Sequence, residues 1–200
     1  MWVSLSIPAT RRRNFRTEEM GGLAGFNVGS RDVLRSVPAS CDGAPLPSPI
    51  APASDGRLQC YAPNPATKSG QSLAEYQSRP DGTIMNPATV LISVAPPITM
   101  RTVTPVTIKA GQVCGYIRPE GIEAAEFAIG GNPATEGQTA LFKDKIAASQ
   151  KCLFGHEICT AYVTDGDALV AKASVDGVAQ PAMDQKVIWV SPGDGFKVQP

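Results

Sequence analysis

The 200-residue sequence predicts an α+β fold, with one helix packed on a small antiparallel sheet that follows a long proline-rich irregular segment. Three observations predict it. Short runs rich in β-branched residues recur from about residue 88 to the end, one segment alone carries helix signals, and Asp176-Gly177 is a two-residue hairpin signal within a meander. Strands and helices do not alternate, which disfavours a doubly wound fold. A small β-sandwich or barrel carrying the helix is the alternative.

The predicted strands share β-branched or alternating apolar residues and are bounded by proline, glycine or aspartate. They span residues 89–94, 100–109, 112–117, 125–129, 157–163, 168–175, 186–190 and 196–198. Pro105 places the second run at a sheet edge or a bulge, because proline donates no backbone hydrogen bond.

One helix is expected between residues 135 and 150. Thr135 and Gln138 match a capping box, in which each side chain satisfies a backbone N–H of the other. Leu141, Phe142 and Ile146 then fall on roughly one helical face. This face is expected to cover the sheet.

Residues 1–87 are predicted to be mostly disordered or extended, which leaves residues 88–200 as the α+β core domain. Residues 44–53 have proline at four of ten positions, a pattern typical of an extended polyproline-like linker. Upstream, residues 1–40 hold six basic and three acidic side chains, with Arg11, Arg12, Arg13 and Arg16 close together. We interpret this run as a solvated basic tail, with a contact to nucleic acid or acidic lipid as the alternative.

The charge balance excludes several classes of protein. Eighteen basic and eighteen acidic side chains leave no basic excess to displace the counterions of nucleic acid, so no nucleic-acid partner is expected. The longest apolar run, residues 88–97, is far shorter than the ~18–20 residues that cross a bilayer. We expect no transmembrane segment and no cofactor, and the candidate partner is another protein.

The cysteines allow two disulfides. The chain has five, namely Cys41, Cys60, Cys114, Cys152 and Cys159. Cys114 and Cys159 lie in predicted strands and could bridge them if the strands face each other, while a Cys41–Cys60 bridge would close the proline-rich loop. Cys152 would then be free. A Cys152–Cys159 bridge is the rival pairing.

Disulfides and a low lysine and arginine content are typical of exported bacterial proteins, and predict a secreted or periplasmic location. The apolar residues 1–7 precede the arginines, however, whereas a signal peptide has its basic residues first. The given chain therefore shows no recognisable signal peptide.

Candidate chemistry centres on His156, the single histidine. Cys152, His156 and Cys159 form a C-x3-H-x2-C cluster of soft ligands that suit zinc, with Cys114 as a possible fourth ligand. Cys152 could alternatively act as a nucleophile beside His156. The simpler interpretation is a surface histidine next to a disulfide cysteine.

Other side chains give weaker signals. Asp165, Asp167 and Asp194 lack the spacing of a calcium loop and are interpreted as turn residues. The large aromatic residues of the strand region are expected in the core or in an exposed binding patch, and are Tyr116, Tyr162, Trp189 and Phe196.

The sequence contains no recognisable catalytic constellation. The leading hypothesis is therefore a non-enzymatic, exported or envelope-associated binding or structural domain that disulfides stabilise. The alternative is a metal-binding or thiol-dependent protein that uses Cys152, His156 and Cys159. The two hypotheses require opposite cysteine states, because thiols that bind a metal must be reduced.

Overall fold

A computed structural model describes residues 46–200. Its strands, numbered in chain order, are β1 (Leu58–Tyr61), β2 (Ser69–Gly70), β3 (Ser72–Ala74), β4 (Gln77–Ser78), β5 (Ile84–Val94), β6 (Pro97–Lys109), β7 (Gln112–Tyr116), β8 (Glu126–Ile129), β9 (Asn132–Pro133), β10 (Glu157–Asp165), β11 (Ala168–Val175), β12 (Val178–Ala179), β13 (Gln185–Val190) and β14 (Lys197–Val198). The α-helices are α1 (Pro119–Glu123) and α2 (Glu136–Gln150). Short 3-10 turns occupy Ala51–Asp55, Lys151–Leu153, Pro181–Met183 and Pro192–Asp194.

Eight strands close into an antiparallel barrel. The hydrogen-bonded order is β5-β3-β1-β13-β11-β10-β7-β6, and β6 pairs back with β5. The remaining short strands extend this ring at β5, β6 and β11, apart from β14 and β2, which form a separate parallel pair.

The predicted small meander sheet with a helix packed on it is therefore wrong, and the alternative, a small barrel, fits the structure. The strands that close the ring, β1 and β3, have only four and three residues and follow a stretch rich in proline. Such short strands carry too little alternation to be recognised from sequence. In the structure β1 pairs with β13 and β3 pairs with β5, and these pairings close the ring. The barrel thus includes strands upstream of residue 88, the expected start of the folded core.

Residues 46–55 also differ from the extended linker expected there. Ile50 is fully buried, and Leu46 and Ala53 pack with it against Val106 and Val113 of the barrel. A 3-10 turn forms at Ala51–Asp55 because proline is tolerated in the first turn of a helix, where its missing N–H has no partner to lose.

Strand register defines the inner face of the barrel. Gln59 and Tyr61 of β1 lie opposite Trp189 and Val187 of β13, and the pairing continues around the ring in the same alternation. One inner cluster combines a large ring with small side chains and consists of Tyr61, Ala74, Ala88, Ala171 and Val187. Alternating large and small residues fill the narrow interior of an eight-stranded barrel.

The helix α2 begins as predicted. The Thr135 hydroxyl accepts a hydrogen bond from the Gln138 N–H, and the Gln138 side chain accepts one from the Thr135 N–H, so the capping box is present. The helix packs on α1 and β8 rather than across an open sheet. Ile146 is buried, and the ring centres of Phe142 and Phe127 lie 5.5 Å apart. Within residues 46–200, no helix is long and apolar enough to span a bilayer.

Candidate functional site

The two cysteines of β7 and β10 are direct cross-strand neighbours. Antiparallel register places Cys114 opposite Cys159, and the structure joins their sulfurs with an S–S distance of 2.08 Å. Val113 and Thr160, the adjacent pair, face the barrel interior, so the disulfide lies on the outer face of the wall. Cys114 is buried and Cys159 is half-buried. The bond closes a sequence separation of 45 residues.

Glu157 completes a group of three possible metal ligands. One carboxylate oxygen of Glu157 and the sulfurs of Cys114 and Cys159 all lie within 4.8 Å of one another. Across residues 46–200 this is the one group of three or more histidine, cysteine or acidic side chains that meets that distance. Two thiolates and a carboxylate are ligands that zinc accepts.

Lys109 and Tyr116 stabilise the ionised form of Glu157. Lys109 Nζ forms an ion pair with Glu157 Oε1. This hydrogen bond, together with one from the Tyr116 side chain, lowers the pKa of Glu157 below its usual value. An ionised carboxylate is the form that a metal requires.

The predicted Cys152, His156 and Cys159 cluster is not assembled. Cys152 is exposed and free on the 3-10 turn after α2, whereas Cys159 is bonded to Cys114. His156 instead contacts Asp176, with 2.5 Å between His156 Nδ1 and Asp176 Oδ2. The same carboxylate accepts a hydrogen bond from the Glu157 N–H, so it ties the hairpin turn after β11 to the start of β10.

Of the two expected bridges, only Cys114–Cys159 lies wholly within the described residues. Cys60 is a free, fully buried thiol, and burial raises its pKa to about 11. Cys41, its expected partner, lies outside the described residues, as do Arg11–Arg16 of the basic tail. The rival pairing of Cys152 with Cys159 is absent.

A groove of about 620 Å³ runs beside the disulfide. Its walls include Cys114, Tyr116 and Arg118 on one side and the turn at residues 81–84 on the other. Tyr116 is exposed, and the Arg118 guanidinium lies 5.6 Å from the centre of its ring. The groove therefore brings solvent, and small thiols dissolved in it, close to the wall that carries the bond.

A polar cluster inside the barrel was not predicted. The hydroxyls of Tyr61, Tyr76 and Tyr162 each donate to Gln59 Oε1, at 2.9, 2.9 and 3.0 Å. The hydroxyl oxygen of Tyr162 also lies 2.7 Å from that of Tyr61 and 3.2 Å from that of Tyr76. Burial raises the pKa of all three tyrosines. No sequence motif links these residues, which are up to 103 positions apart.

The other residues singled out from sequence have structural positions. Trp189 and Tyr162 pack against the core, whereas Phe196 is half-buried near the C-terminal end. Asp194 accepts a hydrogen bond from the Ser191 N–H and so caps the turn that contains it, as expected for a turn residue. Asp165 ends β10 and Asp167 lies in the turn that follows.

Comparison of the chain with protein-family models, with curated proteins and with solved structures found no match. We therefore base the proposals below on the geometry of the described side chains.

Proposed function

We propose that the protein is a thiol-dependent metal-binding protein whose working group is the pair Cys114 and Cys159. In the oxidised form the two sulfurs share a disulfide. In the reduced form they bind a thiophilic divalent cation, zinc being the best fit, together with Glu157. The observation that carries this proposal is the convergence of two sulfurs and one carboxylate oxygen within 4.8 Å.

Reduction needs an external thiol, for which the chemical class is a small thiol such as glutathione. One external thiolate attacks a sulfur of the disulfide, the S–S bond breaks, and a mixed disulfide forms. The thiolate of a second external thiol then attacks the external sulfur of this mixed disulfide, and the protein thiolate leaves. The balanced result is two protein thiols and one external disulfide. Cys159 is the more exposed of the two sulfur-bearing residues and is the expected point of attack.

Zinc and the disulfide exclude each other. Two Zn–S bonds of ~2.3 Å at a tetrahedral angle hold the sulfurs about 3.8 Å apart, beyond any S–S bond. Binding also releases the two thiol protons, because the ligands are thiolates. Cys114, Cys159 and Glu157 fill three positions and leave the fourth for solvent or another ligand. This is the ligand number of zinc sites that exchange a ligand.

Lys109 competes with the cation for Glu157. Its ammonium contacts one carboxylate oxygen in the metal-free structure, where it supplies the positive charge that zinc would supply. Removal of this ammonium should therefore free the carboxylate and raise zinc affinity. This gives a prediction opposite in sign to that for removal of the carboxylate.

The experiment measures bound zinc and free thiols in one sample of full-length protein, before and after reduction. We expect about one zinc per chain after reduction and none before. Glu157→Gln should weaken binding, Lys109→Gln should strengthen it, and Cys114→Ser should abolish it. Cys152→Ser is the matched control, since this free cysteine lies outside the group, and should bind as the wild type does. Equal zinc in reduced wild type and Cys114→Ser would overturn the proposal.

A second candidate function is favoured by the same disulfide. In an oxidising compartment the bond would be permanent, and the barrel would serve as a binding or structural domain of an exported or envelope-associated protein. Protein recovered from its native cells, alkylated before lysis, distinguishes the two. Thiols at Cys114 and Cys159 in a fraction of the molecules support the switch, whereas complete oxidation supports the permanent bond.

A further inference from the structure

A cavity opens in the barrel wall where β6 and β7 separate. The two strands pair only between Val106–Lys109 and Gln112–Gly115. Pro105 then interrupts the ladder because it has no N–H to donate. The chain after β7 turns away into α1, which lies against β6, where Thr102 Oγ1 donates to the Gly121 carbonyl. The resulting cavity has a volume of about 330 Å³.

Apolar side chains from the barrel and from the residues that flank α1 form most of the cavity. They include Val103, Val106, Val113, Ile117, Ala124 and Ile158. Val106, Val113 and Ile158 point to the inner face and are almost completely buried, so the cavity reaches from the surface into the barrel. Small-ligand sites are typically apolar clefts of about 300 to 1,000 Å³ with a few polar groups that fix orientation.

The mouth of the cavity carries two opposite charges. Arg118 and Glu120 line it, both exposed, on either side of the start of α1. Neither forms an ion pair with any side chain in residues 46–200, whether with each other or with a third residue. Tyr116, which also lines the mouth, holds its ring beneath the Arg118 guanidinium. A guanidinium and a carboxylate therefore face solvent at the edge of an apolar cavity.

We infer that this cavity binds a free α-amino acid with a large apolar side chain. Its carboxylate would pair with Arg118, its ammonium with Glu120, and its side chain would enter the apolar cavity. Both charged ends stay at the exposed mouth, so neither has to lose all of its hydration. The cavity volume of about 330 Å³ lies within the usual range of small-ligand sites, which suits a side chain as large as that of phenylalanine.

Both charges on the ligand are required by this arrangement. A ligand with a carboxylate alone would be repelled by Glu120, and one with an ammonium alone would be repelled by Arg118. A small zwitterion such as glycine would satisfy both charges but leave the apolar cavity unfilled. The arrangement thus predicts that a zwitterion with a large apolar side chain binds more tightly than a compound that lacks either charge or the side chain.

The experiment is calorimetric titration of the full-length protein with phenylalanine, N-acetylphenylalanine, phenylalanine methyl ester and glycine. We expect phenylalanine to bind most tightly. Arg118→Gln and Glu120→Gln should each weaken it by up to about fivefold, the range for ion pairs between exposed groups. Ala124→Phe, at an exposed position of the lining, should block it. Lys145→Gln and Glu136→Gln remove matched charges on α2, outside the lining, and should bind as the wild type does.

Several outcomes would overturn the inference. These are no heat of binding for phenylalanine up to its solubility limit, equal binding of the ester or the acetyl derivative, and unchanged binding by both charge variants or by Ala124→Phe. A thermal-shift measurement on each variant shows whether it is folded. Because Arg118, Glu120 and Ala124 are not ligands of the proposed zinc site, failure here leaves the zinc proposal standing, and the reverse also holds.

Discussion

Reduction of the Cys114–Cys159 bond should lower the stability of the barrel by a calculable amount. The bond closes a sequence separation of 45 residues. In the chain-entropy description, releasing a loop of that length restores unfolded-state freedom worth about 4 kcal/mol at 25 °C. For a domain of this size each kilocalorie shifts the melting temperature by roughly 2 to 4 °C, so a fall of about 8 to 16 °C is expected.

Zinc binding should restore most of the stability that reduction of the disulfide removes. A ligand that binds only the folded, reduced form stabilises it by about 4.1 kcal/mol when its free concentration is a thousandfold above Kd. Three samples of full-length protein should therefore melt in a defined order. The oxidised form melts highest, the reduced form with chelator lowest, and the reduced form with excess zinc in between or level with the oxidised form.

The assay is differential scanning calorimetry, with thiols counted in each sample before heating. Cys152→Ser is the control and should give the same three melting temperatures, because its thiol is free and exposed. A reduced, chelated sample that melts with the oxidised one would refute the entropic reasoning. Zinc that stabilises the oxidised form equally would show that it binds elsewhere.

Three further predictions concern residues outside that group. Iodoacetamide should modify exposed Cys152 in the native protein and leave Cys60 unmodified until unfolding, because burial holds the Cys60 pKa at about 11; peptide mass spectrometry checks this, and equal labelling rates would contradict it. Tyr162→Phe should lower the free energy of unfolding in urea by about 1 to 3 kcal/mol, because it removes the hydroxyl that contacts Gln59 Oε1 and both other tyrosines. An unchanged urea midpoint would count against a stabilising network. Asp176→Asn tests the lowered pKa of Asp176, whose ionised carboxylate contacts His156. This contact stabilises the fold at pH values above 3.8, the usual pKa of the group, and is lost as the pH falls below that value. The difference in melting temperature between wild type and variant should therefore disappear in acid, and a constant difference would contradict the assignment.

Much of the chain could be predicted from local sequence. The capping box at Thr135 fixed the start of α2, and the β-branched runs matched the long strands β5, β6, β10 and β11. These elements are long enough for propensity and alternation to accumulate over many residues. Local sequence placed Cys114 and Cys159 each in a strand but left open whether those strands face each other, which the pairing of β7 with β10 decides.

The closure of the sheet could not be predicted in the same way. Whether a meander stays open or forms a ring depends on β1 and β3, whose few residues carry little pattern of their own. Proline around residues 44–53 suggested an extended chain, yet Ile50 is buried against the barrel. Tertiary packing overrides local preference at both places.

The candidate site shows the same division. From sequence, Cys152, His156 and Cys159 are grouped because they are close along the chain. Proximity between residues that are far apart in sequence is not visible before the fold is known. In the structure, β-sheet register selects Glu157 and distant Cys114 as the neighbours of Cys159. The tyrosines around Gln59 are likewise brought together by ring closure, which no local motif records.

The most direct test of the account is the zinc dependence of the thiol–disulfide equilibrium. Full-length protein is equilibrated at a fixed ratio of reduced to oxidised glutathione, with free zinc set by a metal buffer, and the Cys114 and Cys159 peptides are quantified after alkylation. If one zinc binds only the dithiol, then above its Kd each tenfold rise in free zinc should raise the reduced-to-oxidised ratio tenfold, equivalent to about 30 mV. A ratio that does not change with zinc would contradict the central claim that metal and disulfide compete for the same two sulfurs.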